Sequence, residues 1–346
     1  MDGTMRNGGS RLKSVNLALQ GGGSHGAFTW GVLDRLLEDG RLGIEAISGT
    51  SAGAMNAVVL ADGYMEGGPE GARQALHNFW AAISHSATAS PIQRSPINVF
   101  MGDWSLDNSP AYLLLDLMSR LASPYDLNPL NLNPLKDLIE AQVDFDCIRD
   151  CECIKLFVSA TNVHSGRVKV FTCKDITPDA VMASACLPHL FQAVEIDGVP
   201  YWDGGYIGNP VLFPFFDSCA SNDLILVQIN PIERTATPTT AREILDRVNE
   251  ITFNSSLMKE FRAIDFVGRL INGGKLDPQH YRQIFLHRIH AEEEILSLSA
   301  SSKVNAEWLF LTHLRDIGRD AMRHWLDRHY SSIGSKSTVD IRSMFV

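Results

Sequence analysis

The sequence predicts an α/β fold built round a central, largely parallel sheet. Three observations predict it. Strand-like and helix-like segments alternate from residue 14 onward. The strand-like segments are short and almost wholly apolar, as strands covered on both faces are. Glycine clusters at residues 21–26 and 49–53 punctuate the passage from strand to helix. Helices on both sides of such a sheet are what bury it.

In order, Ser14 to Gln20 reads as a buried strand with Val15, Leu17 and Leu19 on one side. A glycine turn follows at Gly21–Gly23. Gly26 to Glu38 reads as a helix, because Phe28, Val32, Leu33, Leu36 and Leu37 fall near helical spacing, and Gly40 sits where a helix-ending glycine belongs. Ile44 to Ser48 is a short strand. Ala52 to Asp62 is a helix dense in small and apolar residues, and Ala72 to Ile83 looks helical again. Residues 86–134 differ in character. They carry Pro91, Pro96, Pro110, Pro124, Pro129 and Pro134, with one apolar helix at Ala111 to Leu121, and form a lid or insertion candidate. Lys155 to Asn162 and Arg167 to Cys173 make a strand pair about Gly166. A short helix at Pro178 to Ala185 follows, then short strands at Ala193 to Val199 and Pro200 to Trp202, then an apolar strand at Leu224 to Ile229. The remainder reads as helix at Ala241 to Leu270 and Glu292 to His329, with a strand-like Arg282 to His290 between.

The chain has 346 residues, which predicts one large domain with additions or two domains. The expected division is a flexible N-terminus at 1–13, a catalytic domain at 14–230 holding the lid at 86–134, and a mostly helical C-terminal extension at 231–346 packed on it. Hydrophobic residues at 45% and charged residues at 20% argue for a packed core rather than disorder. A formal net charge of -10 argues against nucleic acid as a partner. It leaves room for transient contact with a membrane surface through a local apolar patch. The start of the chain lacks the pattern of a signal peptide, and no uncharged apolar run reaches the roughly 18 residues of a membrane span. A cytoplasmic protein, peripheral to the membrane at most, is the expectation. The six cysteines contain no C-x-x-C pair, so reduced thiols are expected and no metal. The C-terminal helices read as packing or as a surface for self-association.

Three short motifs carry chemistry. The first is Gly49-Thr50-Ser51-Ala52-Gly53, between a strand and a helix. A nucleophilic serine must protrude from a sharp turn, which flanking glycines permit, and the helix that follows points its N-terminal amides at the reacting carbonyl. A serine helix cap in a tight turn has the same pattern. The second is Gly21-Gly22-Gly23-Ser24-His25-Gly26. Its free amides can face the oxyanion of a tetrahedral intermediate. They can equally face a pyrophosphate, since Gly21, Gly23 and Gly26 satisfy a dinucleotide fingerprint and Glu45 lies at a tolerable distance for the ribose. The third is Asp203-Gly204-Gly205, where a carboxylate at a strand end is held in a tight loop, as in any Asp-Gly turn.

In this order and spacing, with Ala183-Ser184-Ala185-Cys186-Leu187-Pro188 ahead of the aspartate, residues 14 to about 230 resemble the patatin-like phospholipases, a family of lipid acyl hydrolases. The resemblance implies a three-layer α/β/α fold. It implies a dyad of Ser51 as nucleophile and Asp203 as general base, an oxyanion hole from the amides of Gly21, Gly22 and Gly23, and supporting roles for Gly26, Gly49, Gly53, Gly204 and Gly205. It requires no cofactor and no histidine. The family usually has Arg or Lys where this chain has His25, which leaves the role of His25 open. Desolvation near Trp202 and Tyr206 is expected to raise the basicity of Asp203. Three alternatives stand beside this reading: a Ser-Asp-His triad drawing on a later histidine, a dinucleotide-dependent enzyme, and an inactive binding protein that keeps the fold.

Overall fold

The structure, a computed structural model, describes residues 12–296 and 298–345. The N-terminal segment expected to be flexible lies, up to residue 11, outside the described residues. The strands are β1 (Lys13–Leu19), β2 (Leu42–Gly49), β3 (Lys155–Asn162), β4 (Val168–Thr172), β5 (Val194–Ile196), β6 (Val199–Asp203), β7 (Asp223–Val227) and β8 (Phe285–Ile289). They form one mixed sheet in the order β5-β6-β3-β2-β1-β7-β8, with β4 also on β3. The β3-β2-β1-β7-β8 stretch is parallel throughout, and β4, β5 and β6 pair antiparallel.

Register at β3 decides where the site forms. Phe157 and Val158 pair with β2 on one edge and with β4 on the other. Ala160 pairs with β4 and with Asp203 of β6. β2 and β6 therefore share one edge of β3, end to end. Gly49 lies opposite Val158 and Asp203 opposite Ala160, so the turn after β2 meets the end of β6.

Alternation within each strand feeds two cores. Val15, Leu17 and Leu19 of β1, with Ile225 and Val227 of β7, join one buried cluster; Ala18, Leu224 and Leu226 join another. The first is completed by α1 (Gly26–Asp39) and α2 (Ala52–Ala87), which begin right after the two glycine motifs. Phe28, Trp30, Leu33 and Leu36 of α1 are almost fully buried, each stabilising by about 1.5–3 kcal/mol. The expected pair of helices after residue 52 is present within α2, one on each side of non-helical Gly67 and Gly68, ahead of Pro69.

Residues 86–134 hold α3 (Pro96–Met101), α4 (Pro110–Leu121) and α5 (Pro124–Leu127), each opened by a proline at its first turn. Next come α6 (Pro134–Gln142), α7 (Phe145–Arg149), α8 (Pro178–Ser184) and α9 (Phe213–Ser218). α9 and α10 (Ala241–Asn272) cover the other sheet face through Phe215, Leu257, Phe261 and Ile264. Together with the first cluster they make three layers.

The C-terminal third is not helical throughout. β8 extends the sheet beside β7, and buried His287 on it bonds Asp223 at 3.0 Å. The expected helix from Glu292 to His329 is divided into α11 (Glu292–Leu296), a 3-10 turn at Ala300–Val304 and α12 (Trp308–His329). A serine hydroxyl competes for the backbone at the break: Ser302 Oγ donates to the Ser299 carbonyl at 2.7 Å. α12 crosses α1 where Gly31 meets the Arg315 backbone and Gly318 meets the Phe28 backbone, an approach no side chain would allow. Among the described residues, no helix is long and apolar enough to cross a membrane.

Candidate active site

Ser51 occupies the sharp turn between β2 and α2 with φ 55 and ψ -124, a conformation that costs a non-glycine residue energy and persists only where its surroundings hold it. They do. The Thr50 amide donates to the Leu19 carbonyl at 3.3 Å, and Thr50 Oγ1 bonds Ser159 Oγ at 2.6 Å and the Gly208 carbonyl at 2.8 Å. The Ser51 amide donates to Ser184 Oγ at 2.9 Å. Ser184 belongs to the small-residue segment before the aspartate, so that segment has a physical role in fixing the turn. Ser51 itself is half-buried.

Asp203 ends β6 and is 3% exposed. Its Oδ1 accepts the Gly205 amide at 2.7 Å. Burial pushes its carboxyl up to about 7, against two influences that lower it, the hydrogen bond from Gly205 and one from the Ser51 side chain. The phenol of Tyr206 is near enough that Asp203 helps to raise it, after burial, to about 12. Trp202 precedes Asp203 in a strand whose successive side chains face opposite ways, so the two side chains do not share a face of the sheet.

The glycine loop runs past Ser51. A side chain on Gly21 would put its Cβ 2.7 Å from Ser51 Cβ and 2.8 Å from the Thr50 carbonyl. The Gly21 peptide is clamped: its amide donates to Asn209 Oδ1 at 2.7 Å, and its carbonyl accepts from Asn230 Nδ2 at 2.8 Å. Gln20 locks the same junction, its Oε1 accepting the amides of Ile229 and Asn230. The Gly21 amide is thus engaged by Asn209, at odds with the expectation that it joins an oxyanion hole. Lys303 packs its carbonyl on Gly23 and bonds Asn230 Oδ1 at 2.9 Å. His25 is buried, its Nε2 2.7 Å from Ser302 Oγ. Burial, then the charge of Lys303, pushes its imidazole down to about 3. It is neutral and ties the loop to the C-terminal third.

A cavity of about 660 Å³ opens next to His25 and Tyr206, and neither Ser51 nor Asp203 is among its lining residues. His25, Tyr206 and Ile229 line it from the loop side, Phe253 from α10, Leu115 from α4 and Lys303 from the C-terminal turn. Burial pulls the Lys303 ammonium below the ordinary lysine range, against Glu250 and Asp246. Such mixed apolar and polar lining suits a ligand with a long apolar part and a polar end.

The other sequence candidates are engaged elsewhere. Glu45 accepts the amides of Ala220 and Ser221 at 2.6 and 2.7 Å and pairs with Lys155, well back from the glycine loop. It is not placed to read a ribose. Among later histidines, His280 pairs with Asp277, His287 with Asp223, and His313 stacks on Trp104. Among the described residues, no group of three His, Cys, Asp or Glu could hold a metal ion.

The model of the patatin-like phospholipase family matches residues 17–216, more than half of the chain, including all three motifs. The chain belongs to the patatin-like phospholipase family. It has the family's fold, and the family places it, at the level of class, among lipid acyl hydrolases. Similar solved structures include VipD from Legionella pneumophila, with 15% identity, a TM-score of 0.44, and 92% of this chain and 68% of that chain covered. They also include full-length ExoU of Pseudomonas aeruginosa in complex with SpcU, with 16% identity, a TM-score of 0.31, and 91% and 54% covered. The chain therefore spans about half the length of ExoU. No curated protein sequence matches it. Against the usual patatin-like pattern, the departure at His25 has a structural counterpart. Lys303, outside the matched residues, lies against the loop at Gly23. Sequence reasoning missed Lys303, Asn230 and Ser302, which no motif marks. Asn209 carried a signal, standing six residues after the aspartate in the segment that returns to the loop.

Proposed function

We propose that this chain hydrolyses carboxylic esters of lipids, in the manner of a phospholipase A or lysophospholipase, through an acyl intermediate on Ser51. The observation that carries the reading is a strained, half-buried serine against a buried carboxyl, Asp203, whose affinity for a proton is raised to about 7. A carboxylate at its ordinary pKa near 4 is a weak base toward a hydroxyl. At about 7 it is matched to taking a proton and returning it near neutral pH.

Ser51 Oγ attacks the ester carbonyl carbon while Asp203 takes its proton. The oxygen that becomes negative lies against the amides of Gly22 and Gly23 and the start of α2. Collapse expels the alcohol oxygen, which receives the proton held by Asp203, and leaves the acyl group on Ser51. Water, deprotonated by Asp203, then adds to the acyl carbonyl. Collapse of this second intermediate frees the carboxylic acid and returns the proton to Ser51. The acyl chain is accommodated by the cavity under α4.

A fluorophosphonate probe tests the nucleophile directly. Labelling should occur in the native chain and disappear in Ser51→Ala. Persistent labelling in that variant, or no labelling together with binding of a dinucleotide, would overturn the reading. Mass analysis of fatty acids released from a mixed lipid extract then identifies the ester.

A further inference from the structure

The region between α2 and α6 inverts the usual arrangement of a packed helix. α3 buries only Asn98, whose side chain bonds Ser95, Asp103, Ser105 and Asn108. Arg94 anchors the same segment, pairing with Glu307 and lying over Trp104. A polar network therefore fixes a short helix whose apolar side chains face outward, with Phe100 89% exposed. α4 buries none of its residues. Its Tyr112, Leu115 and Ser119 line the cavity, and its Leu113, Leu114, Leu117 and Leu121 are exposed on the outside. Leu130, in the loop after α5, is also 78% exposed. So many exposed apolar side chains on a fixed scaffold mark an interaction site.

We propose that α3, α4 and the loop after α5 form the face by which the protein docks on a lipid layer, with α4 as the wall between that layer and the cavity. The proposal rests on the reading of Ser51 as a lipid acyl hydrolase. Continuity points to lipid as the occupant: one helix presents leucines outward and with its inner face lines the cavity that reaches His25 and Tyr206. Charge narrows the kind of lipid. Residues 96–132 contain four aspartates against the single Arg120, in a chain of net charge -10. A basic docking surface gains from anionic lipid and loses with salt. This one should attach by apolar insertion alone, to neutral or zwitterionic layers.

The test uses the full chain carrying Ser51→Ala, so that docking is read without hydrolysis. It should co-sediment with phosphatidylcholine vesicles, gain nothing when phosphatidylglycerol is added and lose nothing in high salt. Adding Leu114→Asp with Leu117→Asp should lower the bound fraction about tenfold or more. Phe100→Asp should act in the same direction, at a position too exposed to affect folding. In the chain with Ser51 intact, the same substitutions should leave hydrolysis of a soluble short-chain ester unchanged. Absence of vesicle binding, binding that requires phosphatidylglycerol and vanishes in salt, or variants that bind as the parent does would each overturn the proposal. So would a dimer in sedimentation that Leu114→Asp with Leu117→Asp dissociates without any vesicle binding, since the face would then cover a second copy. Fluorophosphonate labelling of Ser51 needs no lipid layer, so failure of the catalytic reading and failure of this one are separable.

Discussion

Asp203→Asn should inactivate the protein and make it more stable, with a pH dependence that identifies the cause. The wild-type carboxyl rises from 3.8 to about 7 on folding, chiefly through burial. Between these two values the folded chain holds a proton that the unfolded chain has released. Its contribution to stability is therefore fully present below the unfolded pKa and declines as pH rises, being lost by about pH 7. At 1.36 kcal/mol per pH unit, the cost above pH 7 is on the order of 4 kcal/mol. Asparagine removes the buried charge and keeps an oxygen for the Gly205 amide, now 2.7 Å from Asp203 Oδ1. The variant should gain about 2–4 kcal/mol over wild type above pH 7, or on the order of 5 °C in Tm, and little below about pH 4. Glu260, also raised to about 7, is present in both proteins and cancels in the comparison. Activity runs the opposite way, because the base must be ionised. Wild-type kcat/KM should rise with pH through about 7 to a plateau, and the variant should lose about 10²–10⁴-fold. The assays are thermal or denaturant unfolding of both proteins across this pH range, with ester hydrolysis alongside. A variant less stable than wild type at high pH, a stability gap that ignores pH, or retained hydrolysis would refute the reasoning.

Ser51→Gly should abolish fluorophosphonate labelling and raise stability by about 1–3 kcal/mol, because φ 55 with ψ -124 is at ease only for glycine; an unchanged or lower Tm would count against strain at this turn. Gly21→Ala should lower kcat sharply at a cost of about 1–3 kcal/mol in stability, since its Cβ lands 2.7 Å from Ser51 Cβ; near-normal turnover would mean that the loop can shift. His25, pushed down to about 3, should show no titration by NMR from about pH 5 to 8. His25→Lys should unfold more easily by several kcal/mol in urea, because it buries a cation beside Lys303.

Much of the fold was legible because strands buried on both faces and helices buried on one leave distinct periods. β1, α1, β3 and α10 lie within a residue or two of where apolar spacing puts them. Legibility failed where local and tertiary preferences compete. The helix expected through residues 292–329 is interrupted at Ala300–Val304, where Ser302 bonds the Ser299 carbonyl, whereas the two helices expected after residue 52 are both present and meet at non-helical Gly67 and Gly68.

Ser51, Asp203 and the glycine loop were visible in the sequence as motifs because tight turns restrict residue type wherever they occur. Their meeting was not, since it depends on β2 and β6 sharing one edge of β3. The raised proton affinity of Asp203, expected from the aromatic residues beside it in sequence, comes from a burial that only packing completes. The clearest division falls at the glycine loop. Its glycines announce a backbone that must pass close to something. Asn209 and Asn230, which bond the Gly21 peptide, and Ser302 and Lys303, which hold His25 and Asn230, come from segments far along the chain and follow no spacing rule. Spacing encodes what a segment does to itself; which distant side chains complete it is fixed only when the sheet and the C-terminal third pack.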